Sequence, residues 1–136
     1  MRPGMHARWR RQRGQSLVEL ALVIVVILTI VLWIFELSWL MYTYSVLADA
    51  ANEGVRYAIV HSGADPTGTQ AKVKAFAGAS MHNVNAISVT VSSPDGSYTP
   101  PNRVQVTVRY TYVPFLPRFI TAPTMHSFAE GRMVAQ

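Results

Sequence analysis

The side chains best placed to do chemistry stand at the head of a long apolar run, in the order Arg13-Gly14-Gln15-Ser16-Leu17-Val18-Glu19. A glycine followed five residues later by a lone carboxylate has two readings. In the first, Ser16 caps a helix start and Glu19, three residues on, completes a capping box worth about 1 kcal/mol. In the second, a peptidase of the inner membrane cuts after Gly14 and frees Gln15 as a new N-terminus. Glu19 is then the anionic partner for the freed amino group of a neighbouring subunit inside an apolar bundle. A carboxylate left unpaired near a membrane boundary costs up to a few kcal/mol, which such a pair would offset. The two readings are compatible, and an Arg-rich leader ending at an abrupt Gly favours a segment made to be removed.

Further along, Glu36 interrupts the apolar run. It either faces lipid headgroups at the outer boundary or pairs with another subunit within the membrane. Glu53 and Arg56 are three residues apart on a helix and can pair, while Ala50, Ala51, Gly54 and Ala58 form a small-residue stripe for close packing. Gly54 costs roughly 1 kcal/mol relative to Ala in a helix, so it points to close approach or a bend. Elsewhere catalytic signals are absent from the sequence. His6, His61, His82 and His126 are scattered without metal-ligand spacing, and no nucleophile elbow or phosphate loop occurs. The chain is read as a non-enzyme with no cofactor, metal or small-molecule substrate.

These residues are positioned by a single apolar segment. From Leu20 to Phe35 every residue except Thr29 is apolar, and Leu17–Tyr44 adds only Glu19, Glu36, Ser38, Thr43 and Tyr hydroxyls as polar groups. A bilayer core about 30 Å thick needs roughly 20 such residues as helix. Thirteen Leu, Ile, Val and Phe side chains lie between Leu20 and Phe35. At roughly 0.3 to 0.6 kcal/mol each, they favour insertion by on the order of 5 kcal/mol. Trp33, Trp39, Tyr42 and Tyr44 suit an interfacial aromatic belt. An ordinary secretory signal fits less well, since its apolar region is shorter and the first small-x-small triplet here is Ala48-Asp49-Ala50.

Charge is distributed to match. The net charge is +5, yet Arg2, Arg8, Arg10, Arg11 and Arg13 all precede Gly14, and the seven acids and seven remaining bases after it cancel. The basic block therefore reads as a cytoplasmic anchor under the positive-inside rule, not as a nucleic-acid surface. Met5 offers an alternative start. With no cysteine, disulfides and thiolate metal sites are excluded.

Three segments follow: a basic leader, 1–14; a long helix, 15–60, membrane-spanning over about 17–42; and an extracytoplasmic head, 61–136. No Gly or Pro interrupts Gln15–Glu53, which permits one continuous helix. In the head, Thr69–Ala79 suits a short helix, with Lys72 and Lys74 on its solvated face. Alternation predicts strands over Ile87–Ser92 and Arg103–Tyr112, with Tyr110 and Tyr112 on the core side. Pro94-Asp95-Gly96-Ser97 and Pro100-Pro101-Asn102 supply turns between them, and a third strand is expected from about Ser127 to Val134. The fold class is α+β, a long transmembrane helix leading to a small head with an antiparallel sheet of two to three strands.

Together, the Arg13–Val23 stretch, Glu36 within the apolar helix, Tyr44 and Ala50-Ala51-Asn52-Glu53-Gly54-Val55-Arg56-Tyr57-Ala58 resemble the TadE-like family. Its members are minor pilins or pseudopilins of the tight-adherence (Flp) branch of bacterial type IV pilus machinery. That resemblance implies cleavage between Gly14 and Gln15 by a prepilin peptidase, and a role for Glu19 in processing or subunit docking. It also implies partners among other pilins and inner-membrane assembly proteins, and a function in adhesion and surface colonisation. Glu130 loosely matches a late-strand Glu of the family and receives no role. An uncleaved, single-pass scaffold whose head binds a periplasmic partner is the alternative.

Overall fold

The computed structural model describes residues 5–61, 65–81, 83–118 and 121–134, and for residues 5–13 the backbone alone. In chain order it contains α1 (Met5–Val60), α2 (Pro66–Gly78), a 3-10 turn (Val84–Ala86), β1 (Ile87–Ser92), β2 (Arg103–Thr111) and β3 (Thr124–Arg132). The α+β architecture expected from the sequence is present. The chain divides into two compact units, one ending at Ser38 and the other beginning at Trp39.

The first unit is a length of α1. No residue of its apolar window is buried, and the exposed side chains include Leu20, Ile24, Ile27, Val31 and Ile34. Helix forms here because nothing in the run breaks it and every backbone polar group is satisfied within the segment.

The second unit is a two-layer head. Its sheet has the order β1-β2-β3, antiparallel throughout, with Ile87 opposite Tyr110 and Arg103 opposite Arg132. Strict alternation puts Val104, Val106, Val108 and Tyr110 of β2 on the buried face, joined there by Ile87 and Val89 of β1. Ser88, Thr90, Arg109 and Thr111 face solvent. Tyr110 and Tyr112 are core residues, as the alternation indicated.

Helices cover the buried face. Along α1, Leu47, Ala50, Ala51 and Ala58 are wholly buried, as are Val73 and Ala77 of α2. The inner face of β3 carries Ser127, Ala129 and Gly131, which are small. A Cβ placed on Gly131 would stand 2.5 Å from Ile59 Cδ1 and 2.8 Å from Val55 Cγ1. Small residues on β3 thus let α1 lie close against the sheet.

Two boundaries differ from expectation. α2 begins at Pro66, three residues before Thr69, because Asp65 is its N-cap and accepts a hydrogen bond from Gly68 N at 2.8 Å. Proline at the first helical position has no N–H to lose, so Asp65-Pro66 is a helix start. β3 begins at Thr124, not Ser127, and ends at Arg132, because all nine residues of β2 find partners along it. A strand's ends follow its neighbour's length as much as its own composition.

Arg103, at the start of β2, ties the β1–β2 loop to β3. Its guanidinium donates to Asp95 Oδ1 at 2.8 Å and to Glu130 Oε1 at 3.0 Å, and its backbone N–H donates to Asp95 Oδ2 at 2.8 Å. Gly96, with φ +83, supplies the left-handed turn that brings Asp95 round. The Arg103 side-chain hydrogen bond, then its backbone hydrogen bond, hold the Asp95 carboxyl down at about 2, against an ordinary 3.8. A depressed carboxylate contributes stability above its unfolded value, and that contribution is lost as pH falls through the folded value. Hydrogen-exchange NMR is therefore expected to show the Arg103 amide and Nε–H protected at pH 4 and losing protection towards pH 2. Asp95→Asn should remove this pH dependence while leaving the sheet folded, since the pair is exposed and screened by water.

Candidate functional site

Gly14, Gln15, Val18, Glu19, Leu22 and Val23 line one continuous strip of α1, because positions four residues apart share a helix face. The peptide bond between Gly14 and Gln15 and the Glu19 carboxylate are thereby brought to the same side, one turn apart. All three residues are exposed. Nothing lies within 4 Å of a Cβ placed on Gly14.

Ser16 does not cap this helix. α1 begins at Met5, so Ser16 and Glu19 both sit in its interior, and the capping-box reading is overturned. Ala7, Arg8, Arg10, Arg11, Gln12 and Arg13 are good helix formers, which is why the helix continues upstream through Gly14.

The hydroxyls of the apolar run bond to their own helix. Thr29 Oγ1 donates to Val25 O, Ser38 Oγ to Ile34 O and Thr43 Oγ1 to Trp39 O, each at 2.8 Å. Bonding back to the fourth preceding carbonyl removes the cost of placing a hydroxyl in hydrocarbon. Glu36 is buried, at 3 % exposure, and is engaged in an interaction, so it does not simply face headgroups as one reading held. Glu19 is left as the exposed carboxylate of the apolar stretch.

Glu53, Gly54 and Arg56 are placed differently from one another. Gly54 is buried, and a Cβ there would meet Val73 Cγ2 at 2.5 Å and Val106 Cγ1 at 3.1 Å. The small-residue stripe of α1 is therefore filled by α2 and β2 of the same head. Arg56 is exposed and Glu53 half-buried. Although three residues apart, they form no ion pair; the described ion pairs are those of Arg103.

One cluster was not drawn together from the sequence. The Trp39 ring lies tilted against Tyr42 with centroids 5.6 Å apart, and meets Phe115 edge-on at 5.8 Å. Beside them lies a groove of about 450 Å³ whose lining includes Trp39, Thr43, Met81, Tyr110 and Val113. Alternation carries no information about a loop, so Phe115 read only as part of a Pro-broken connection. Glu130, given no role from the sequence, is the second partner of Arg103. Among the described residues no group of three His, Asp or Glu converges as metal ligands.

Compared with known families, residues 14–56 match the model described as TadE-like protein. The matched segment begins at Gly14, contains Glu19, Glu36, Glu53 and Gly54, and ends at Arg56, so it coincides with the motifs that carry the resemblance. No curated protein and no solved structure matches the chain.

Proposed function

Starting from a chain whose residues 14–56 carry the TadE-like pattern, we propose a minor pilin or pseudopilin that supports assembly of a tight-adherence, Flp-type pilus. Residues of about 17–42 anchor it in the bacterial cytoplasmic membrane, with the basic leader in the cytoplasm and the head, 61–136, outside. A prepilin peptidase removes residues 1–14. Through the filament it serves adhesion and surface colonisation, with other pilins and inner-membrane assembly proteins as partners.

The observation that carries this reading is the strip on which Gly14, Gln15 and Glu19 stand together at the mouth of a wholly exposed apolar helix. Such a surface must be covered, first by lipid and then by neighbouring subunits. A peptidase needs extended backbone, and α1 runs through the scissile bond, so cleavage requires local opening of the helix. Gly14 lowers that cost, being about 1 kcal/mol worse than Ala in a helix, and it makes no tertiary contact that opening would disrupt.

Intact mass and N-terminal sequencing test the reading, on protein from cells with and without the prepilin peptidase. The expected mature chain begins at Gln15 and appears only when the peptidase is present. Gly14→Leu is expected to leave the precursor uncut. Because nothing packs near Gly14, misfolding does not explain such a result. An intact leader under both conditions would favour the uncleaved, membrane-anchored scaffold instead.

A further inference from the structure

The loop after β2 carries two large apolar side chains in the open: Val113 is 62 % and Phe115 68 % exposed. Pro114, between them, is buried, so the loop is held by its proline while its neighbours point out. A hydrogen bond from Tyr112 N to Pro123 O, 3.0 Å, closes its base. Arg118, also exposed, follows at the end of the described loop.

The position of this loop is fixed by Trp39. The Phe115 ring contacts the Trp39 ring within the head unit, and Trp39 lies tilted against Tyr42. If the span begins near Leu17, about 20 residues of helix cross the core and Trp39 and Tyr42 fall at the outer interface. Phe115 then lies at the depth of that aromatic belt. Exposed Met41 and Tyr42 continue the apolar surface on α1 itself. The solvent face of the sheet bears Ser88, Thr90, Arg109 and Thr111 together with one exposed ring, Phe128.

We propose that the Val113–Arg118 loop is a second membrane contact, in which Val113 and Phe115 enter the boundary between headgroups and acyl chains of the outer leaflet. Its occupant is lipid, not another protein. Phe115 meets the Trp39 ring, a member of the interfacial belt, and the described loop also carries an exposed arginine, Arg118, suited to a headgroup phosphate. Rings and aliphatic side chains flanked by a cation are the composition that settles at an interface. Prolines at 114 and 117 limit the conformational freedom that insertion would otherwise remove. The contact would hold the head down on the bilayer before the subunit is extracted into a filament.

This inference rests on the membrane reading above, and the chain's lack of cysteine makes both testable by single-site labelling. The full chain, with an environment-sensitive fluorophore at Ile27→Cys, Thr90→Cys, Val113→Cys or Phe115→Cys, is reconstituted in vesicles of phosphatidylethanolamine and phosphatidylglycerol. Lipids bearing shallow or deep nitroxides and aqueous iodide serve as quenchers. The Ile27 label should respond to deep nitroxide and the Thr90 label only to iodide. Labels at 113 and 115 should respond to shallow nitroxide, with iodide quenching about threefold weaker than at 90, as expected of side chains at the headgroup boundary.

A quenched Ile27 label with a 115 label as open to iodide as that at 90 would overturn the loop contact and leave the membrane anchor standing. An Ile27 label untouched by lipid nitroxide would overturn both. Shielding from iodide at 115 without lipid quenching, relieved on dilution into empty vesicles, would overturn the proposal in favour of a contact between copies.

Discussion

Under the proposed pilin reading, Glu19→Ala is expected to leave the chain inserted in the membrane and folded, yet to reduce pilus assembly roughly 30- to 150-fold, the equivalent of about 2–3 kcal/mol for the proposed amino-group partner left unpaired. Insertion survives because the thirteen aliphatic and Phe side chains after Glu19 supply on the order of 5 kcal/mol in favour of the bilayer, and removing a carboxylate only adds to it. Folding survives because Glu19 is exposed on a unit separate from the head. What is removed is a charge one helical turn from the Gly14–Gln15 bond. Glu19→Gln separates charge from shape: it keeps the size of the side chain and should assemble as poorly as Glu19→Ala. Comparing the sheared extracellular fraction with the membrane fraction, alongside N-terminal sequencing, distinguishes loss of docking from loss of cleavage. Normal assembly by Glu19→Ala would end the pairing argument and leave the carboxylate without a role.

Gly54→Ala is expected to destabilise the head by overpacking its core. On helix propensity alone the change is favourable by about 1 kcal/mol. Against this, the added carbon would stand 2.5 Å from Val73 Cγ2 and 3.1 Å from Val106 Cγ1. Both valines are fully buried and β-branched, with little rotamer freedom to yield. Overpacking of this kind costs about 1–3 kcal/mol and, in a small head, lowers the unfolding midpoint by several degrees per kcal/mol. Adding Val73→Ala makes room for the new methyl. The double variant should therefore be more stable than the sum of the two single losses, a coupling readable by urea unfolding in detergent. Strict additivity would show that the clash at Val73 is relieved some other way. Gly131→Ala is expected to be destabilising as well, since a Cβ there would stand 2.8 Å from Val55 Cγ1, which is buried and β-branched.

Much of this molecule was legible in its residues because its strongest signals are local. A run of apolar residues without Gly or Pro specifies a helix and its solvent at once, since hydrogen bonding and hydration are settled within the segment. The alternation in Ile87–Ser92 and Arg103–Thr111 fixed both strands and the side each residue faces, because the pleat leaves no other choice. The family pattern in residues 14–56 is likewise continuous in sequence, and Gly14, Gln15 and Glu19 reach one face through helical spacing alone. At Asp65-Pro66 the signal is local too, an N-cap aspartate before a proline at the first helical position.

Tertiary structure decided what depends on partners far along the chain. β3 took its ends from β2, and Glu130 found Arg103, 27 residues away, through strand pairing. Glu53 and Arg56, near in sequence, did not meet. The stripe of Ala50, Ala51, Gly54 and Ala58 announced a close contact, but only packing showed that Val73 and Val106 occupy it. Phe115 beside Trp39 joins residues from a loop and a helix, and no periodicity in either could bring them together. Sequence by itself determined the elements, the membrane-length helix and the strip of Gly14, Gln15 and Glu19, because each is set by interactions within a few turns of chain. The tertiary fold alone decided which apolar surfaces are spent in the core and which stay exposed, because burial is a property of three-dimensional neighbours.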